Sequence, residues 1–308
     1  MVKKIIETFD LRQVFRLKKR KKVIVALDKI NIDVHEGEIL GILGPNGAGK
    51  TTLIKDLCCL QTPTDGYAIV NGYNILKDKK DVKNSISLML GSWMVYFHVT
   101  GRDNLNFFAK IYGIEDYEKK IKELGEEFEF SLWLDEYTDY YSSGMRMKLC
   151  LIRSLLIDRP IFYMDEPTTG LDPKATQYIV QKIMSLKDRN KTILLTTHRM
   201  NVANAVCDRI VLLKEGNVLK VDKTENLKKL ILERLIIDIS IEENMSQLIK
   251  DLKSNNFVEE ITPTDNGFRV YVKDNSYYPQ IFEIVKNYKI LNFREYEPSL
   301  NEVFTTLL

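Results

Sequence analysis

Short apolar runs bounded by turn residues alternate along this chain with stretches of helical periodicity. Glu38-Ile39-Leu40-Gly41-Ile42-Leu43 has the length and continuity of a buried strand, and Thr52–Leu60 (TLIKDLCCL) follows with apolar residues at helical spacing. Val2–Thr8 and Ala26–Val34 predict strands, the second through Leu27, Ile30, Ile32 and Val34. Pro63-Thr64-Asp65-Gly66 predicts a turn into a strand at Tyr67–Val70, and Asn71-Gly72 a hairpin. Ile86–Leu90 predicts a further strand. From Arg102 to about Ser154 the spacing becomes helical, through Leu105, Phe108, Ile111 and Tyr112 and then Ile121, Leu124 and Phe128. Pro160 introduces a buried strand at Ile161–Met164, and a helix is predicted from Pro173. A strand at Thr192–Thr197 follows, then a hairpin of Ile210–Leu213 and Val218–Val221 around Gly216-Asn217. The pattern predicts an α/β core carrying a mostly helical insertion.

Near Lys223 the pattern changes. A helix over Glu225–Arg234 leads into alternating residues at Leu235–Ile241. Next come a helix over Met245–Lys253, strands around Phe257–Ile261 and Gly267–Val272, a helix over Tyr278–Tyr288 and a closing strand and helix. This β-α-β-β-α-β order is the split, ferredoxin-like arrangement of a small α+β domain. The expected domains are therefore residues 1–222, with the helical subdomain at about 92–156, and 223–308.

Composition narrows the class. The chain has 308 residues, of which 44% are hydrophobic, enough for a proper core. Its net charge of +2 gives no case for a nucleic-acid partner. The run Arg16–Lys22 reads as a solvated loop between hairpin strands, or as a contact for anionic lipid or an acidic partner. Cys58, Cys59, Cys150 and Cys207 form no C-x-x-C pair and no zinc-ligand spacing, which suits reduced, buried thiols. MVKKIIETFDLR has no apolar core of a signal peptide. Asn84–Gly101 lacks Asp, Glu, Lys and Arg, but Ser85, Ser87, Gly91, Ser92, His98 and Thr100 interrupt it, so a spanning helix is not expected. The expectation is a chain that is soluble alone and reaches any membrane through a partner.

Gly44-Pro45-Asn46-Gly47-Ala48-Gly49-Lys50-Thr51 fits G-x-x-x-x-G-K-[ST] at every fixed position, between a predicted strand and a predicted helix. Glycines let successive N–H groups and a helix N-terminus close on phosphate oxygens. Lys50 would reach the β- and γ-phosphates and Thr51 would hold Mg²⁺. Ile161–Met164 ends in Asp165-Glu166, and adjacent strand residues point to opposite sides. One carboxylate, Asp165, can then face the metal while Glu166 faces the attacking water as general base. Phe15 is a candidate stacking face for a purine ring, or a core aromatic.

The ordered motifs GPNGAGKT, YSSGMRMKL (Tyr141–Leu149), IFYMDEPTTGLD (Ile161–Asp172) and TTH (Thr196–His198) resemble the ATP-binding cassette family, specifically the stand-alone ATPase subunits of exporters. The resemblance covers residues 1 to about 222, and Glu297–Phe304 (EPSLNEVF) is similar to a closing segment of that subgroup. It implies a P-loop NTPase (RecA-like) core with an antiparallel β-subdomain and a helical insertion, binding ATP and Mg²⁺. Gly44 through Thr52 would wrap the phosphates. Phe15 would stack on adenine, Ser142 and Gly144 would contact ATP held by another subunit, and Asp172 would lie in the loop crossing between subunits. Lys50, Glu166 and His198 would be catalytic, His198 by sensing the γ-phosphate, with Thr51 and Asp165 as metal ligands. The implied assembly is a head-to-tail homodimer or heterodimer on separately encoded membrane-spanning permease subunits, at the cytoplasmic face of the membrane. Trp93–Phe97 is a candidate docking surface, or core packing.

Two features depart from the family. Ser143 and Met145 replace common signature residues, and Gly91 or Ser92 stands where a glutamine reaches the metal. The alternative functions are a non-transport ATPase of this type and a slow-turnover regulatory ATP-binding module.

Overall fold

The computed structural model describes residues 3–17, 22–91, 94–229 and 235–296. The chain divides into two compact units, Met1–Asp222 and Lys223–Leu308.

In the first unit, the strands with unbroken apolar runs form the centre. β1 (Lys4–Leu17), β2 (Lys22–Ile30) and β3 (Asp33–His35) precede β4 (Ile39–Leu43), in which every residue is buried. After α1 (Lys50–Leu57) come β5 (Asp65–Val70), β6 (Tyr73–Asn74), α2 (Lys79–Asn84) and β7 (Ile86–Leu90). The insertion contributes α3 (Gly101–Ile111), α4 (Tyr117–Glu127) and α5 (Ser143–Ile157). β8 (Ile161–Asp165), α6 (Pro173–Asp188), β9 (Thr192–Thr197), α7 (Met200–Val206), β10 (Arg209–Lys214) and β11 (Asn217–Lys223) complete it. Six strands form one sheet in the order β11-β10-β4-β9-β8-β7, and the four pairings from β10 to β7 are parallel. Parallel strands covered on both faces need no polar alternation, which is why β4, the first four residues of β8 and the middle of β9 are continuous apolar runs. The topology brings the C-terminal ends of β4, β8 and β9 side by side.

The second sheet, ordered β2-β1-β5-β6 with β3 also on β1, corrects two expectations. The first strand does not end at Thr8. It continues to Leu17, with its early residues paired to β3 and β5, Arg12 still on β5, and Leu11 and Gln13–Leu17 paired to β2. Asp10, at φ 46°, marks the register break where the strand changes partners. The second strand begins at Lys22 and stops at Ile30, because the chain turns at Lys29 (φ 51°) before β3. The basic run is therefore flanked by strand up to Leu17 and from Lys22, and its residues 18–21 lie outside the described set.

Asn71 and Gly72, both at positive φ, make the two-residue turn between β5 and β6. α5 begins inside the expected subdomain but runs past its end to Ile157, packed against β7, so a boundary at residue 156 falls inside a helix. The signature-bearing insertion is thus tied rigidly to the core: Ser87 Oγ donates to the Ser154 carbonyl at 3.0 Å. Arg153 adds a bond to the Met94 carbonyl at 2.6 Å and lies over the Phe108 ring. Of the candidate docking stretch, Val95 is buried while Tyr96 and Phe97 are about half exposed; Ser92 and Trp93 lie outside the described residues.

The second unit opens with α8 (Thr224–Lys229), then β12 (Leu235–Ile241), α9 (Met245–Lys253), β13 (Val258–Thr264), β14 (Gly267–Val272), α10 (Tyr278–Val285) and β15 (Ile290–Glu295). Its antiparallel sheet has the order β13-β14-β12-β15, that of a split β-α-β-β-α-β domain. Alternate strand residues Leu235, Ile237, Ile239, Phe268 and Val270 meet Leu248, Leu252, Ile281 and Val285 of the helices in a separate core. α10 stops at Val285, short of Tyr288, and the closing helix and Glu297–Phe304 lie outside the described residues.

Candidate nucleotide site

β4 ends at Leu43 and the chain wraps through residues 44–49 into α1. Gly49 caps that helix at φ 108°, and a Cβ there would strike the Ala26 carbonyl of β2. A Cβ on Gly44 would strike the Leu213 carbonyl of β10. The glycines are thus set by neighbouring backbone as well as by the turn. Pro45, Asn46 and Gly47 are exposed at the rim; Ala48 is buried, and its carbonyl accepts from Gly216 N–H at 3.0 Å.

Lys50 lies along the loop, only 6% exposed, and its Nζ donates to the Gly44 and Pro45 carbonyls at 2.7 and 3.2 Å. Glu166 Oε1 lies 3.3 Å from the same ammonium, within ion-pair reach but off hydrogen-bond geometry. Thr51, in the next position, donates its hydroxyl to Asp165 Oδ2 at 2.8 Å, while Thr196 donates to Oδ1. That pairing follows from register: β8 and β9 run parallel with Asp165 opposite Thr196.

Glu166 follows at φ 51°, a left-handed conformation uncommon for a non-glycine residue. It is held there because its N–H donates to both the carbonyl and the hydroxyl of Thr196, each at 3.1 Å. Its Oε2 accepts from Thr169 at 3.0 Å and meets His198 Nδ1 at 2.9 Å. The structure therefore gathers Lys50, Thr51, Asp165, Glu166 and His198 around one point. Sequence reasoning missed Thr169 and gave Thr196 no role, although both lie inside the quoted motifs.

An open cavity of about 240 Å³ lies over this cluster, lined by the phosphate loop, Lys50, Thr51, Thr52 and Glu166 and, from β2, Ile24, Val25 and Ala26. These three β2 residues were not anticipated. Phe15 is not among the lining residues: it pairs with Ile24 across the strands and is 38% exposed. The signature segment contributes nothing to the lining either. Ser142 instead caps α5, accepting from Met145 N–H at 3.2 Å, and Asp172 caps α6, accepting from Ala175 N–H at 2.8 Å. These two helix starts touch: Ser143 Oγ donates to the Gly170 carbonyl at 3.0 Å, and Gly144 packs towards Ala175.

Gly91 (φ 66°) directly follows β7, whose last residue, Leu90, pairs with Asp165, so the chain leaves the sheet beside the acid pair without an amide side chain at that position. Ser92 lies outside the described residues. The four cysteines form no disulfide and are buried, and burial raises the pKa of each thiol, which favours the protonated form.

A protein from Bacillus subtilis (strain 168), the ABC transporter ATP-binding protein NatA, is 32% identical over 237 residues, spanning 73% of this chain and 96% of its own length. The chain belongs to the ATP-binding subunits of ABC transporters. The ABC transporter family model matches residues 27–169, and that of the ATP-binding protein DrrA1-3-like, C-terminal domain, matches 223–307. The doxorubicin resistance ATP-binding protein DrrA of Mycobacterium tuberculosis is 35% identical over 210 residues, 68% of this chain and 63% of that protein. Among solved structures, the cassette MJ0796 in a dimeric post-hydrolysis state bound to ADP and Pi superposes with a TM-score of 0.65. It is 25% identical and covers 71% of this chain and 98% of its own. This ABC subunit is accordingly an ATPase, with the P-loop fold of that family. No helix among the described residues is long and apolar enough to cross a membrane.

Proposed function

We propose that this ABC ATPase powers an exporter through ATP-driven closure of a head-to-tail dimer seated on separate membrane-spanning subunits, at the cytoplasmic side. One observation carries the reading. The nucleotide cavity is lined by the phosphate loop, β2 and Glu166, while Ser142, Gly144 and Asp172 stand together at the starts of α5 and α6, outside it. A second copy bringing those helix starts to the cavity would complete the phosphate shell. Export is favoured by the similarity of the C-terminal unit to the DrrA1-3-like C-terminal domain and of 210 residues of the chain to a doxorubicin resistance protein.

Within the site, the loop amides and the start of α1 receive the phosphates, and Lys50 turns from loop carbonyls towards the γ-phosphate. The hydroxyl of Thr51 and the carboxylate of Asp165 are hard oxygen donors that suit Mg²⁺, which when bound neutralises charge between the phosphates. Glu166, oriented by Thr169 and His198, takes the proton of the attacking water. His198 holds that carboxylate. Glu166→Gln should retain ATP binding, cut turnover by about 10²-fold or more and accumulate an ATP-bound dimer on gel filtration. Undiminished turnover would remove Glu166 from this role.

Gly91 supports a second reading, a slow-turnover ATP-binding regulator, because nothing at that position can reach the metal. Steady-state ATPase rates of the subunit with and without its membrane partner separate the two.

A further inference from the structure

The β7–β8 pair carries the acid residues at its C-terminal end. At its other end is an open pocket of about 510 Å³, within the size range of small-molecule sites. Asn84 precedes β7 and Arg159 precedes β8, so roughly 15 Å of strand separates this pocket from Asp165. Its remaining walls are Lys79, Lys80 and Lys83 of α2 and Ile111 and Tyr112 at the end of α3.

The charge of this pocket is not balanced from within. Four cationic side chains line it and no carboxylate does. Among the described residues, none of the four has an acid within ion-pair distance; Lys79 only donates to the Thr62 hydroxyl at 3.2 Å. Of the acids adjacent in sequence, Asp158 pairs with Lys191 at 2.7 Å and Asp78 accepts from Asn74 N–H at 2.8 Å, while Asp81, between Lys80 and Lys83 on α2, does not line the pocket. Arg159 is partly buried, with its Nε shielded from solvent and lacking a partner, while its backbone N–H is tied to Ser87 Oγ at 3.2 Å. A shielded, unpaired guanidinium donor is costly unless something completes it. Beside these charges Ile111 is 62% exposed and Tyr112 38%, forming an apolar ledge.

We propose that this pocket binds a phosphate ester with an apolar portion, its phosphate held by Lys80, Lys83 and Arg159 and its apolar part laid on Ile111 and Tyr112. Lysine and arginine donors match a multiply charged phosphate, and the ledge distinguishes an ester from inorganic phosphate. The same chemistry is offered by a soluble phosphate ester and by an anionic lipid headgroup.

The test is calorimetric titration of the full chain with its nucleotide site saturated by ADP. The probes are dioctanoyl phosphatidate and pyrophosphate, with sedimentation on phosphatidylglycerol or phosphatidylcholine vesicles alongside. Lys80 and Lys83 are exposed, so Lys80→Gln/Lys83→Gln should fold normally, and Lys250→Gln/Lys253→Gln in the second unit serves as an equal-charge control. The expected result is phosphatidate binding to wild type and control, at least tenfold weaker in the Lys80/Lys83 variant, and weaker for pyrophosphate than for phosphatidate. Binding should fall with added salt, since the contacts are exposed charges. Lys80/Lys83-dependent sedimentation with phosphatidylglycerol vesicles identifies the lipid source, and binding of the soluble ester alone identifies a free ligand. Equal affinity in wild type and the Lys80/Lys83 variant, or no binding of any probe at low salt, overturns the proposal.

Discussion

Asp56 gives a measurable test of how the first unit is held together. It lies on the helix that starts at the phosphate loop, is 0% exposed, and neither carboxylate oxygen has a hydrogen-bond partner. Burial raises its pKa from an ordinary 3.8 to about 7, opposed in part by the nearby Gln61 amide. A carboxyl group with a raised folded-state pKa favours its neutral form, so it costs nothing below the unfolded value and progressively more as pH climbs towards the folded one. About three pH units at 1.36 kcal/mol each give up to roughly 4 kcal/mol of lost stability above pH 7. Asp56→Asn keeps the size and removes the charge. Both tryptophans, Trp93 and Trp133, fall in the first unit, so their fluorescence during urea unfolding follows that unit alone. The variant should match wild type near pH 4 and exceed it by up to about 4 kcal/mol at pH 8, a midpoint shift of about 1–2 M urea. A stability difference that is constant from pH 4 to 8, or a variant weaker than wild type at pH 8, would refute the argument.

Lys50→Ala should weaken ATP binding itself, since the γ-phosphate loses its main cation; unchanged affinity in a filter assay contradicts that assignment. Deleting residues 223–308 should leave a folded, ATP-binding first unit, because each unit has its own core; loss of the cooperative melt on truncation would show otherwise. Ser92→Gln should raise the intrinsic ATPase rate or tighten its Mg²⁺ dependence while Gly91→Gln does neither, and wild-type values in both would place this loop away from the nucleotide.

What was legible in the sequence depended on burial. β7 and β9 stand at the predicted residues because buried strands are written as short runs without charge and without strict polar alternation. β1 was cut short because its second half, FDLRQVFRL, mixes charged and apolar residues on a strand that changes partners at Asp10. α2 went unseen: six residues with Val82 alone buried carry no readable period. The phosphate loop and the acid pair were plain because their chemistry needs residues adjacent in sequence. Thr196 on Asp165, and Ile24–Ala26 over the loop, arise only once strands far apart in the chain are paired in register. Such contacts leave no local signal.

The left-handed backbone at Glu166 bears on how this position can vary over time. Holding a branched-out carboxylate side chain at φ 51° costs on the order of 1 kcal/mol relative to glycine, which enters that region freely. Glu166→Gly should therefore relieve the backbone while discarding the carboxylate, so the inactive chain gains from the relaxed turn where the active one does not. Selection for cellular abundance and selection for turnover pull this residue in opposite directions. Where turnover is no longer selected, the restraint that keeps a carboxylate on this strained turn is gone.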